Sequence, residues 1–312
     1  MRFAVVGAGA VGGYLGARLA LAGHDVALLA RGAHLAAMVE RGVRVTGPDG
    51  DFEAHPAVAS EPEAIGPADV VVLGVKAHSL PDLAPRLGPL FHAGTVVMST
   101  QNGIPWWFTP LERVDPAGVI AAAVDARRVV GSIIYFSTEV AEPGMIRQVE
   151  GSSRMSLGEP DGGRSERCQA IAAALREAGV RCTVTAHLRE EVFVKLMGNA
   201  AFNPISALTG ATLAEMTRDP DVSILARKIM AEVEAVAAEL GMRLPVSIER
   251  RMAGVAEVGD HKTSMLQDLE AGRPLELDAV VGAVVELGER LSVEMPHTRA
   301  VYACTKLRAD LR

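Results

Sequence analysis

Phe3-Ala4-Val5-Val6-Gly7-Ala8-Gly9-Ala10-Val11-Gly12-Gly13 is the stretch on which the reading of the fold turns. Four apolar residues without alternation fit a strand buried on both faces, as in a parallel sheet. Gly7, Gly9 and Gly12 then form G-x-G-x-x-G, and Tyr14-Leu15-Gly16-Ala17-Arg18-Leu19-Ala20-Leu21-Ala22 continues as a helix ending at Gly23. In such a turn the first glycine permits the tight bend, the second lets the backbone approach a pyrophosphate, and the third lets helix and strand pack closely. The helix N-terminus stabilises the phosphate charge. The strand before and the helix after make the glycine pattern specific. The loop Gly7-Ala8-Gly9-Ala10-Val11-Gly12 therefore reads as the seat of a dinucleotide. A flavin or another nucleotide is the alternative on the same motif.

Working outward, residues 25–30 form a second apolar strand and complete a βαβ unit. The residue that closes this strand selects the adenosine ribose: Asp or Glu for NAD, Arg for a 2′-phosphate. Here it is Arg31, and no acid follows until Glu40. The expected cofactor is NADPH with Arg31 on its phosphate; the alternative is an exposed arginine without a ligand. Residues 69–75, preceded by Gly66-Pro67, and residues 95–100 are further strands. Lys76 ends the first of these and Asn102 follows the second, at the carboxyl ends where open α/β sheets bind ligands. Lys76 either meets the cofactor or is a surface residue, and Asn102-Gly103 is either a ligand group or a plain turn.

Residues 43–45 and the segment near Phe52 predict a small hairpin. Residues 129–135 and short strands to about Leu157 extend the sheet, and a helix over 164–178 and a strand over 181–184 complete it. Helical periods dominate from Leu188 onwards, most clearly over 190–202, 224–240 and 277–291. The expected architecture is α/β: a Rossmann-type doubly wound domain over residues 1–186, then an all-α domain over 187–312 for substrate binding or dimerisation.

Bulk properties narrow the function. Hydrophobic residues make up 49% and charged residues 22%, enough apolar material for two cores. A net charge of -7 argues against a nucleic-acid surface, which needs a basic face. Cys168, Cys182 and Cys304 are odd in number and widely spaced, so neither a disulfide framework nor a metal site is indicated. The expectation is a cytoplasmic protein with reduced thiols, no signal peptide, no membrane span and no bound metal. A homodimer is compatible with the helical half but not specified by it.

The most informative segment beyond the glycine loop covers residues 192–208. It is apolar apart from Lys195, Asn199 and Asn203 and a few small residues. The spacing i, i+4, i+8 puts the three on one stripe of a helix. A narrow polar line on an apolar helix is a buried line, and buried amines and amides are costly without partners. The stripe either satisfies internal groups or faces a ligand, and Gly198 beside it leaves room for something bulky. A partly dry lysine has a lowered pKa and can donate a proton to the oxygen of a ketone as hydride reaches its carbon. Two more candidates follow. Ser264 begins an apolar turn and is either a ligand group or a helix cap; Glu276, after Pro274, is either a site acid or a first-turn acid.

Taken together, the glycine loop, Arg31, Val75-Lys76-Ala77, Gln101-Asn102-Gly103, Lys195-Leu196 with Asn199 and Asn203-Pro204, Ser264-Met265-Leu266-Gln267-Asp268 and Glu276 resemble the ketopantoate reductases (2-dehydropantoate 2-reductases) over essentially the whole chain. The resemblance implies NADPH-dependent reduction of ketopantoate to (R)-pantoate, a step towards coenzyme A. It implies Lys195 as proton donor, and Asn199, Asn203 and Ser264 as substrate ligands. Asn102 would touch both substrate and cofactor, Arg31 and Lys76 the phosphate end, and Glu276 the nicotinamide ribose and Lys195. The chain departs from the family in three places. Gly210-Ala211-Thr212-Leu213 stands where some members carry another substrate-binding asparagine. His261-Lys262-Thr263 adds charge before Ser264, and Pro105-Trp106-Trp107-Phe108 is bulky and aromatic. These leave open a paralogue acting on another small 2-keto acid. A non-catalytic NADPH-binding regulator would be expected to lack Lys195.

Overall fold

The computed structural model describes residues 1–149, 151 and 153–311. The chain forms two compact units. Residues Met1–Gln101 and Gly118–Leu188 make the first; Asn102–Ala117 and Arg189–Arg312 make the second.

The strands of the first unit are β1 (Arg2–Val6), β2 (Asp25–Leu29), β3 (Val43–Thr46), β4 (Phe52–Ala54), β5 (Ala57–Ala59), β6 (Val70–Leu73), β7 (Val96–Ser99), β8 (Val129–Ile134), β9 (Thr138–Glu142), β10 (Met145–Gln148), β11 (Arg154–Gly158) and β12 (Arg181–Val184). Its helices are α1 (Ala10–Leu21), α2 (Gly32–Arg41), the single turns α3 (Pro62–Ile65) and α4 (Leu80–Leu83), α5 (Val119–Ala123) and α6 (Glu166–Glu177). The main sheet has the order β12-β11-β8-β7-β6-β1-β2-β5, and β8 with β11 is its antiparallel pair. Phe3, Ala4, Val5 and Val6 are all fully buried, which is why β1 reads as an unbroken apolar run. Chain order reverses between β1 and β6, so the carboxyl ends of these two strands flank the switch point where such sheets bind ligands.

The hairpin forms as expected, with Val43 opposite Ala54 and Val45 opposite Phe52. The short strands before Leu157 divide, however. β11 joins the main sheet, whereas β9 and β10 build a second sheet of order β4-β3-β10-β9. The reason lies in composition. Thr138-Glu139-Val140-Ala141-Glu142 leaves Ala141 and Glu142 exposed and cannot be covered on both faces. β10 alternates, with Ile146 fully buried against Gly13 of α1 and Arg147 exposed.

The second unit contains α7 (Leu188–Thr209), α8 (Leu213–Arg218), α9 (Pro220–Glu239), α10 (Ile248–Val258), α11 (Ser264–Glu270), α12 (Ala283–Leu291) and α13 (Pro296–Asp310). α7 runs beyond the expected end at Phe202 and carries Pro204 within it. Apolar cover on residues 200–207 keeps the helix continuous where the proline removes one backbone donor. The predicted helix over 277–291 is also not uniform: Asp278–Gly282 forms a π-turn that leads into α12. Ile229, Met230, Val233 and Val236 of α9 are fully buried with Val284 of α12 and with Phe193 and Met197 of α7.

One segment departs from the expected contiguous halves. Asn102–Ala117 packs with the helices, not with the sheet it follows. Trp106, Trp107 and Phe108 are buried, and Phe108 meets Phe193 at 5.6 Å between ring centroids. The Arg189 guanidinium lies 3.7 Å from the Phe108 ring and donates to its carbonyl at 3.0 Å. The buried Glu286 carboxylate accepts the Glu112 and Arg113 amides at 2.9 and 3.0 Å. No described helix is long and apolar enough to cross a membrane.

Candidate active site

The first unit supplies a cradle. Gly7 turns with φ +96°, and the Gly7 and Ala8 amides both donate to the Leu29 carbonyl at 3.1 Å. A Cβ added at Gly12 would stand 2.1 Å from the Gly7 carbonyl oxygen, and one at Gly74 would stand 2.9 Å from the Gly12 Cα. The turn after β1, the start of α1 and the turn after β6 are thus in backbone contact that only glycine permits. Gly9 differs: a Cβ there would meet nothing within 4 Å. It is the N-cap of α1, offers no side-chain cap, and no acid stands in the first turn. The α1 N-terminus therefore presents open amide donors in a cradle shaped for an anion, and these residues fit a dinucleotide pyrophosphate.

Arg31 occupies the exposed N-cap position of α2, directly after β2. Lys76 is half-buried and follows β6 in extended backbone. Gln101 Nε2 donates to the Leu73 and Val75 carbonyls at 2.7 and 2.9 Å, fixing the end of β7 to that of β6. Sequence reading missed His34. Its Nδ1 accepts the Gly144 amide at 2.9 Å, so Nε2 carries the proton and donates to the Ala8 carbonyl at 2.6 Å. His34 thereby steadies the glycine loop. Its partners are distant in sequence, which is why no local pattern marked it.

The second unit gathers the polar stripe. Lys195 Nζ donates to Asn102 Oδ1 at 2.7 Å, and Asn102 Nδ2 faces Glu276 Oε2 at 3.4 Å. The Asn102 turn is seated by its neighbours. Gly103 has φ +87°, and a Cβ there would stand 2.1 Å from the Ala279 carbonyl oxygen, which accepts the Ile104 amide at 2.9 Å. The π-turn thus offers a carbonyl to the 102–104 turn, and Asn102-Gly103 is more than a solvent turn. Burial pushes the Lys195 amine down to about 8; the Glu276 carboxylate opposes the shift and the Arg251 guanidinium adds to it. An amine of this strength is still protonated at neutral pH and gives up its proton readily.

Asn199 is half-buried and Asn203 is 8% exposed, both on α7 with Lys195. Ser264 is exposed at the first position of α11 and lies outside this hydrogen-bonded set; the helix is capped by Thr263, which accepts the Leu266 amide. Lys262 pairs with Glu270 at 2.7 Å, so the charge before Ser264 is answered locally. The space beside Gly198 is filled by Arg251 of α10, a residue that sequence reading did not single out. Among the described residues, no cluster of His, Cys, Asp and Glu is arranged to hold a metal.

The chain resembles known proteins over most of its length. The model for ketopantoate reductase PanE/ApbA matches residues 3–162, and the model for its C-terminal part matches residues 187–309. A 2-dehydropantoate 2-reductase from Mesorhizobium japonicum is 46% identical over 98% of this chain and 97% of its own length. A protein of solved structure from Ralstonia solanacearum MolK2 is 40% identical, with a TM-score of 0.94 over 100% of this chain and 98% of the other. The structure of 2-dehydropantoate 2-reductase from Geobacter metallireducens is 30% identical, with a TM-score of 0.89 over 98% and 99%.

Proposed function

The chain belongs to the ketopantoate reductase family, and from that premise we propose that it reduces 2-dehydropantoate to (R)-pantoate with NADPH. The observation that carries this reading is the bond from Lys195 Nζ to Asn102 Oδ1 at 2.7 Å, in a cluster with Glu276. When bound, the nicotinamide supplies a hydride to the 2-keto carbon. Lys195 donates the proton to the keto oxygen, and its positive charge stabilises that oxygen as negative charge develops. Asn102 orients the amine. Glu276 holds the proton on Lys195, since its carboxylate favours the charged amine. Asn199, Asn203 and Ser264 bind the substrate. Residues 7–12 hold the pyrophosphate, and Arg31 and Lys76 hold the phosphate end. The absence of an acid beside Arg31 favours NADPH over NADH.

The competing reading, another 2-keto acid, leaned on three departures: residues 210–213, the charged residues before Ser264, and the aromatic residues 106–108. The aromatic side chains are buried and Lys262 is paired with Glu270, so the missing asparagine at residues 210–213 is what still favours it. The test is steady-state kinetics with ketopantoate and a panel of 2-keto acids, using NADPH and NADH in parallel. Ketopantoate with NADPH should give the highest kcat/KM. Lys195→Ala should lower kcat by roughly 10²- to 10⁴-fold while NADPH binding persists. Negligible turnover of ketopantoate beside good turnover of another keto acid would overturn the substrate assignment.

A further inference from the structure

We propose that Arg251 recognises the carboxylate of the keto acid, with its guanidinium set on the Lys195 face of α7 by the missing side chain of Gly198. The inference rests on the reduction proposed above. Gly198 lies three residues after Lys195 on α7, so the two are neighbours on the helix surface. A Cβ at Gly198 would stand 2.5 Å from Arg251 Nη2, 2.8 Å from Nε and 2.9 Å from Cζ. The guanidinium therefore rests directly on the α7 backbone, a seat that any larger residue at position 198 would fill. Arg251 belongs to α10 and Gly198 to α7, both within the helical unit, so the placement is fixed by the packing of one body.

Charge supplies the second argument. Lys195 and Arg251 are close enough for the arginine to weaken the hold of Lys195 on its proton. Glu276 answers one of the two positive charges. The planar fork of arginine donates two parallel hydrogen bonds to a carboxylate, whereas the lysine is reserved for the keto oxygen. Two cations, one for each oxygen-bearing end of a 2-keto acid, distinguish such a substrate from a simple ketone.

The test compares Arg251→Gln, Arg251→Lys and Gly198→Ala with the natural chain, on ketopantoate and on its neutral carboxamide. Arg251→Gln should raise KM for ketopantoate by roughly 10- to 100-fold, the range for a lost hydrogen bond to a charged group. KM for the carboxamide should hardly change, so the preference for carboxylate should fall by a similar factor. Arg251→Lys should restore part of that preference, and Gly198→Ala, which displaces the guanidinium, should mimic its loss. NADPH affinity measured on each variant reports that the fold is kept. If Arg251→Gln does not fold, Arg251→Lys and Gly198→Ala carry the comparison. An unchanged carboxylate preference would overturn the role of Arg251 while leaving the reductase reading intact. If the natural chain turns over a different 2-keto acid, that acid and its amide replace ketopantoate in the same comparison.

Discussion

At the scale of single residues, Lys195 makes the sharpest prediction. Its amine is held at about 8 against an ordinary 10.5, with burial as the first cause. As the proposed proton donor, Lys195 must be protonated for reduction, so the rate should be level below this pH and fall about tenfold per unit above it. The reverse oxidation needs the free amine and should rise through the same pH. Glu276 favours the charged amine, so Glu276→Gln should move both limbs to lower pH. Profiles of kcat/KM for both directions would check this, and limbs that stay in place would assign them to another group. The residues behind this prediction were only partly legible. Lys195, Asn199 and Asn203 stand out because polar residues at i, i+4 and i+8 interrupt an apolar helix. Arg251 looks like any surface arginine in Glu249-Arg250-Arg251, since only the packing of α10 on Gly198 brings it to the stripe. His34 is silent in sequence for the same reason: it joins Ala8 to Gly144 across the fold.

At the scale of elements, the site depends on how a turn is seated on a π-turn. Gly103 combines a positive φ of 87° with a Cβ position only 2.1 Å from the Ala279 oxygen. Gly103→Ala should therefore displace the 102–104 turn and separate Asn102 from Lys195. The backbone conformation alone costs about 1–3 kcal/mol, and the contact adds to it. We expect a lower melting temperature, a loss of kcat of roughly tenfold or more, and NADPH affinity close to that of the natural chain. Kinetics and a cofactor titration on the same sample would check all three; unimpaired kcat would show that the turn adapts. The elements that sequence reading placed well are those with an unbroken apolar run, β1, β2, β6 and β7, or a clear helical pattern, α1 and α9. It misplaced β9 and β10 because a polar strand signals only that it is not central, not which sheet it joins. It missed the π-turn because the apolar residues of 277–291 fit one helical stripe, and the inserted residue is compensated by a distant carbonyl bond to Ile104.

At the scale of the whole molecule, the chain is not two consecutive halves. It leaves the sheet between Gln101 and Asn102, packs sixteen residues among the helices, and returns at Gly118. Composition hides this, because Trp106-Trp107-Phe108 reads as apolar whichever core receives it. The consequence is testable by dissection. A fragment of residues 187–312 contains every helix of the second unit, α7 to α13, and matches the C-terminal family model closely. It lacks the segment that covers Phe193, gives Glu286 its two backbone donors, and caps the Ala279 carbonyl. Each buried polar group left without its partner costs about 1–3 kcal/mol, against a typical domain stability of about 5–15 kcal/mol. The Glu286 carboxylate is the worst case, since a buried anion loses both amide donors at once and keeps mainly Arg290. The fragment should therefore lack a cooperative thermal transition by circular dichroism, and a peptide of residues 102–117 added in trans should restore one. A sharp transition without the peptide would mean that the helices hold their core alone, and that Asn102–Ala117 adds site geometry but little stability.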